Sequence, residues 1–332
     1  MRSLRALSAI ASCLLLSGCF FVNIPLGNYT DFREVTMEEG SRQKILLLDV
    51  DGVITSGPES ESLFDMNDST VNEVAAKLAL ARKDPNIKAV ILRVDSPGGG
   101  VTASDVVYRQ LKEYKEETKV PVYVSMLDLA ASGGYYISMA ADEVYAHPTT
   151  ITGSIGVIAI FPQFEDLGHK IGLYAEVIKS GENKDITGGF NNMTPEQRQI
   201  LQTTIDDMYK RFVTVVKEGR PKLTEETIRT LADGRIYTAE QATANGLIDG
   251  VMYLDDLSDH IREKIKSPNA RVVMYRKTGR ETVDSLYAKS PAVRPQARGS
   301  IPATTTVNLI HIDAHSLTPG TRGEVFNYLW TP

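Results

Sequence analysis

The sequence is poor in the groups that build covalent scaffolds and metal sites. It has two cysteines, Cys13 and Cys19, both inside the first apolar stretch. A disulfide framework or a cysteine-based zinc site is thereby excluded from the folded body. The five histidines (His147, His169, His260, His311 and His315) are scattered, with no HExxH spacing. The chain also lacks a GxxxxGK[ST] loop to cradle a phosphate and a GxGxxG turn to open a dinucleotide site. Basic residues are in deficit. Lys+Arg number 36 against 42 Asp+Glu, a net charge of -6, which argues against a general nucleic-acid binder. What is present is an ordinary globular balance, 42% hydrophobic and 23% charged over 332 residues. That length holds one large domain or two modest ones.

The amino terminus reads as an export address. Arg2 and Arg5 precede an apolar or small stretch, residues 6–18. The stretch has the length of a secretory h-region and falls short of the roughly 20 residues that span a bilayer. It ends in Leu16-Ser17-Gly18-Cys19, which resembles a bacterial lipobox with Cys19 as the lipidated residue. Residues 1–18 are then a lipoprotein signal peptide and residues 19–43 a lipidated tether. The expected location is the cell envelope of a bacterium, on a membrane face outside the cytoplasm. Membrane lipid is engaged through the acylated cysteine, since each buried methylene contributes about 0.8 kcal/mol.

Beyond the tether, apolar strands alternate with amphipathic helices. Strands are expected at 44–54, 88–94, 121–126, 143–147, 174–179 and 271–276. Helices are expected at 72–84, 104–118, 133–141, 224–233, 238–245 and 255–266. Thr194-Pro195-Glu196-Gln197 is a capping box that opens a helix with apolar residues at Leu201, Ile205, Met208, Phe212 and Val215. Such alternation implies an α/β fold with both sheet faces covered. Residues 277–306 are rich in Pro, Ser, Thr, Arg and Ala and read as a linker. The tail, 307–332, has one expected strand (VNLIHI) and an apolar end, Phe326–Trp330, suited to docking in a neighbouring chain's groove.

Three constellations carry possible chemistry. Asp49-Val50-Asp51-Gly52 at a strand end resembles the first motif of haloacid dehalogenase phosphatases, with Asp255-Asp256 as a distal acidic pair. Ala131-Ser132-Gly133-Gly134 lies between a strand and an apolar helix, where free N–H groups and glycines admit a close substrate. A lone motif of this kind is also an ordinary capped turn. Ser96-Pro97-Gly98-Gly99-Gly100 supplies a second set of open amides, so the parts of an oxyanion hole are present. The third is Lys179-Ser180-Gly181-Glu182-Asn183-Lys184-Asp185. A serine nucleophile needs a base, and a lysine serves if it loses its proton near neutral pH. Bringing a lysine from about 10.4 to near 7.5 disfavours its charged form by roughly 4 kcal/mol, which burial can supply. Lys184 meets that need only in a dry pocket away from Asp185 and Glu182.

The order DSPGGG, AASGGYYIS, TGSIGV (152–157) and KSGENKDI resembles the signal peptide peptidase A family of serine peptidases, over about residues 44–276. TAEQATANGLID (238–249) fits as well, while DSPGG alone also suits the related Clp protease and crotonase families. The resemblance implies a single catalytic domain of the Clp protease/crotonase-like fold, built of repeated β-β-α units. It implies a Ser/Lys dyad in which Ser132 is the nucleophile and Lys184 the general base. Ser154 then orients the lysine, and the Gly99 and Gly133 amides form the oxyanion hole. No metal or other cofactor is implied. The implied substrates are apolar extended peptides such as cleaved signal peptides. The family completes its pocket on assembly, so this single-copy chain is expected to be a homo-oligomer. Three other readings stay open: a crotonase-like acyl-thioester enzyme, the phosphatase, and a non-catalytic scaffold for membrane proteins.

Overall fold

The computed structural model describes residues 32–57, 59–62, 65–67, 69–277, 285–287 and 327–329. The lipobox, the expected VNLIHI strand and most of the linker lie outside the described residues.

The chain opens with β1 (Phe32–Glu38), β2 (Ser41–Asp51) and a small hairpin, β3 (Glu59–Ser62) and β4 (Asp65–Asn67). Helix α1 (Thr70–Lys83) follows, started by Ser69, whose hydroxyl accepts from Asn72 N at 3.3 Å. Then come β5 (Ile87–Ser96), the short glycine strand β6 (Gly98–Gly100), α2 (Val101–Thr118) and β7 (Val122–Ala131). Next are α3 (Gly133–Ser138), β8 (Glu143–Ala146), β9 (Ile151–Gly153) and α4 (Glu165–Ile171). Helix α5 (Pro195–Gly219) begins at the expected capping box, with both reciprocal bonds between Thr194 and Gln197 formed. The remaining elements are α6 (Glu225–Leu231), β10 (Ile236–Thr238), α7 (Ala239–Ala244), β11 (Gly250–Val251), α8 (Leu254–Lys264), β12 (Ala270–Lys277) and β13 (Asn327–Leu329).

Nine strands form the main sheet, in the order β1-β12-β2-β5-β7-β8-β11, with β9 pairing in parallel beside the end of β7 and β10 pairing β9. From β12 to β11 the neighbours run parallel, and β1 closes one edge antiparallel to β12. The period-2 pleat splits the apolar strands between two cores. Leu46, Leu48 and Val50 of β2 and Val90, Leu92 and Val94 of β5 face α1, α2, α3 and α5 through Leu78, Leu111, Tyr136 and Phe212. Ile45 and Leu47, with Ala89 and Ile91, face α8 through Leu254, Leu257 and Ile261. Both faces are thus covered, as a parallel sheet requires.

Three expectations are corrected. Residues 32–43, assigned to the tether, include β1 and the start of β2, and Phe32–Glu38 pairs antiparallel with β12, with a register shift between Thr36 and Glu38. The strand expected at 174–179 does not form. Its side chains are exposed and the segment reaches no sheet edge, so its β-prone Val177 and Ile178 have no ladder to join. The linker is not wholly free either: Leu286 is buried in the second core, and the Tyr287 hydroxyl accepts from Leu254 N at 3.0 Å at the start of α8.

Candidate active site

Strand β7 ends at Ala131, and the next residue turns sharply. Ser132 has φ 51° and ψ -111°, a conformation that L residues rarely adopt, and it is 1% exposed. Such strain persists only where the surroundings over-determine it. The Ser132 amide donates to Gly153 O at 2.8 Å, and its carbonyl accepts from Tyr136 N at 2.8 Å. Helix α3 is locked in turn. The Tyr135 hydroxyl donates to Leu247 O at 2.8 Å, the Tyr136 hydroxyl bonds Asp105, and the Tyr136 ring packs edge-on to Phe212 at 4.9 Å. The Ser132 hydroxyl makes no capping bond to the helix it precedes. It is therefore not spent as an N-cap, unlike Ser69 or Thr194.

The parallel register of β7 and β9 pairs Ala131 with Gly153. Ser132 and Ser154 are the next residues on each, so the two serines leave neighbouring strands side by side. Ser154 also has positive φ, 49°, and its amide donates to Arg235 O at 2.8 Å. At Gly153, φ is 88° and a Cβ would stand 2.6 Å from the Tyr237 ring, so glycine is required on both counts.

The glycine strand β6 lies on the other side of Ser132. Ile54 N donates to Gly98 O at 2.8 Å, and Gly100 N donates to Ile54 O at 3.0 Å. A Cβ on Gly99 would fall 2.1 Å from Ile54 O, so no side chain fits there. A Cβ on Gly133 would sit 3.1 Å from Gly99 N and 2.5 Å from Ser104 Oγ. The two glycine backbones thus converge beside Ser132. The Ser96 hydroxyl shapes this loop, accepting from Gly98 N at 3.1 Å and donating to Gly52 O at 2.6 Å. Asp95 Oδ1 accepts from Leu129 N at 3.1 Å and ties the loop to β7. Ser104, at the start of α2, was not singled out from sequence. Its hydroxyl is fully buried beside Gly133 and has no partner among the described residues.

Lys184 stands apart. It is exposed, in an arm that leaves the sheet after Ser154 and returns at α5. Among the described residues its ammonium makes no hydrogen bond or ion pair. Its acidic neighbour is engaged elsewhere: Lys179 and then Asn191 bond Asp185 at 2.7 and 3.0 Å and hold its carboxyl below the ordinary value. The arm carries large apolar side chains on its surface, with Ile178 93% and Ile171 68% exposed. The chain brings Ser132, Ser154, Gly99 and Gly133 together, while the exposed Lys184 makes no hydrogen bond to any of them. Cys19 lies outside the described residues.

The Asp49 motif has a different role. Asp49 Oδ1 lies 2.8 Å from Arg93 Nε, with the arginine buried and the aspartate partly buried. A guanidinium fills the place where the phosphatase reading needs Mg²⁺, and Asp255 is taken by the Tyr287 hydroxyl at 2.6 Å.

Against known proteins, residues 114–267 match the model of peptidase family S49, and residues 63–152 match that of Clp protease. A protein of Enterococcus faecium named as a signal peptide peptidase SppA is 36% identical over 247 residues, 74% of this chain and 71% of the relative. The chain belongs to peptidase family S49. Protease 4 of Salmonella typhi is 38% identical over 212 residues, 64% of this chain but 33% of that protein. The chloroplastic serine protease SPPA of Arabidopsis thaliana is 33% identical over 239 residues, 71% of this chain and 34% of the relative. The chain thus spans about a third of these two longer relatives. As a member of S49 it is a serine-type peptidase on a Clp protease-like domain, and the crotonase, phosphatase and scaffold readings fall away.

Proposed function

We propose that this chain is a membrane-tethered endopeptidase that hydrolyses apolar, extended peptides, such as cleaved signal peptides, with a Ser132/Lys184 dyad completed between copies of the chain. The observation that carries the reading is the strained, uncapped Ser132 beside the converging Gly99 and Gly133 backbones. The exposed apolar arm bearing Lys184 supports the inter-chain part, because large exposed apolar surfaces mark interfaces. Docking the arm against a neighbour would bury the lysine in apolar surroundings, which favours its neutral form.

In the proposed mechanism neutral Lys184, held by the Ser154 hydroxyl, takes the proton from Ser132. The Ser132 oxygen attacks the peptide carbonyl, and the Gly99 and Gly133 amides receive the oxyanion. Lys184 then protonates the leaving amine, and water, activated by the same lysine, hydrolyses the acyl-enzyme. No cofactor takes part. The tether would be lipid on Cys19, holding the domain at the outer face of a bacterial membrane where such peptides are left. Among the described residues no helix is long and apolar enough to cross a membrane, so none of them supplies the anchor.

A fluorophosphonate probe with peptide mapping tests the nucleophile and its base. Wild type is expected to label at Ser132, Ser132→Ala not at all, and Lys184→Ala at least about 100-fold more slowly, the usual scale of a general base. Labelling of Lys184→Ala at the wild-type rate would remove Lys184 from the mechanism.

A further inference from the structure

Strand β6 is held on both edges. Ile54 bonds Gly98 O and Gly100 N on one, and β13 pairs with the other, so the tail lies on its own chain rather than in the neighbour's groove expected for it. Edge pairing does not set the distance from β6 to Ser132. That distance depends on two helices. Helix α2 starts at Val101, directly after Gly100, and α3 starts at Gly133, directly after Ser132. Each of the two proposed oxyanion amides therefore sits at the entrance to a different helix.

Helix α3 is too weak to hold itself. It has six residues and begins with two glycines, the poorest helix formers after proline. Its first turn closes through Tyr136, whose amide donates to Ser132 O at 2.8 Å. The Tyr136 side chain is fully buried, and its hydroxyl donates to Asp105 Oδ1 on α2. A buried hydroxyl needs such a partner. The same carboxylate oxygen accepts from Arg211 Nε at 3.0 Å and from Arg211 Nη2 at 2.9 Å, both on α5. Tyr108 packs beside these bonds, its ring edge-on to Tyr136 at 5.6 Å and its hydroxyl donating to Glu218 of α5 at 2.7 Å. One oxygen of Asp105 thus joins α2, α3 and α5.

We infer that Asp105 is a positioning residue for Ser132. Through Tyr136 it fixes α3 against α2, and so sets the Gly133 amide and the nucleophile against the Gly99 amide. The inference rests on the proposed roles of Ser132, Gly99 and Gly133. Amides held in this way are aimed before charge develops on the substrate, which lowers the barrier without tightening the hold on the ground state. Loss of Asp105 should therefore fall on kcat rather than on KM.

Asp105→Ala and Tyr136→Phe each break the bond, whereas Asp105→Asn keeps an oxygen that accepts from Tyr136. With a short apolar fluorogenic peptide, Asp105→Ala and Tyr136→Phe are each expected to lower kcat by about 30-fold, less than the roughly 100-fold to 1,000-fold lost with an oxyanion donor itself. KM should stay within about twofold of wild type. The double variant should be no worse than either single one, since both remove the same bond. Asp105→Asn is expected to restore kcat to within about threefold of wild type. An unchanged kcat in Tyr136→Phe, a loss confined to KM, or an Asp105→Asn chain as impaired as Asp105→Ala overturns the inference. A second measurement needs no turnover: amide deuterium exchange of the full-length chain, read by mass spectrometry. Residues 133–138 are expected to exchange about tenfold faster in Tyr136→Phe, with 87–94 unchanged. Equal exchange at 133–138 overturns the inference whatever the activity. If exchange rises there and Ser132→Ala still hydrolyses peptide as wild type does, the dyad reading falls while the joint between α2 and α3 stands.

Discussion

At the scale of single residues, Ser132 concentrates the chemistry because the backbone there is held in a conformation it would not choose. Strain of this kind costs of order 1–3 kcal/mol, and glycine relieves it at an entropic cost of about 0.5–1 kcal/mol. Ser132→Gly is therefore expected to be inactive yet more stable than wild type by about 1 kcal/mol, whereas Ser132→Ala gains nothing. Paired urea melts of the three proteins decide this; a Ser132→Gly protein less stable than wild type would show that the turn is unstrained. The candidate residues were legible in the sequence because glycine is chemically explicit. Gly99 and Gly153 stand where a Cβ would meet Ile54 or Tyr237, and runs of glycine beside serine announce open amides. The roles of Asp49 and Ser104 were not legible. Their partners, or the lack of them, depend on Arg93 and Gly133, which only the fold brings close.

At the scale of elements, local signals read well where they are self-contained. The capping box at Thr194 and another at Thr238 start helices as their patterns require. Signals that need a distant partner fared worse. Strand β1 exists only because β12 offers it an edge, and residues 174–179 stay irregular because nothing does. The arm around them is the element to which the proposed function gives a role between chains. Leu167→Asp with Ile171→Asp, both exposed in the monomer, is expected to leave the fold intact and to abolish assembly and turnover together, as read by sedimentation and peptide hydrolysis. A monomeric variant with full activity would detach the arm from function. A second element-level effect concerns acid. Burial pushes the Glu143 carboxyl up, but bonds from Lys264 and His260 on α8 and from Tyr145 outweigh this and hold it below its ordinary value of 4.5. A carboxylate lowered on folding stabilises the protein above its ordinary value, and the contribution is lost as pH falls through the folded value. Glu143→Gln is expected to melt earlier than wild type at neutral pH, by at most about 1 kcal/mol because the pair is partly exposed. The gap should close as pH falls below 4.5; melting curves across that range show whether it does.

At the scale of the whole molecule, the sheet supplies the frame on which the proposed site is built. The two core faces fix β5, β6, β7 and β9, and these carry the glycines and both serines into one corner. The lysine stays on an arm whose large apolar side chains, Ile171 and Ile178 among them, are exposed among the described residues. Sequence order pointed to the family, while the place of each motif in the fold depends on strand register that spacing alone does not give. The proposed dyad is a property of neighbouring chains. Mixing Ser132→Ala and Lys184→Ala chains, each inactive alone, and reassembling them tests this directly. In a head-to-tail assembly with random mixing, one junction in about four joins an intact Ser132 to an intact Lys184, so about a quarter of wild-type turnover is expected to return. Mixed assemblies that form, as shown by mass, and yet hydrolyse no peptide would contradict a dyad shared between chains.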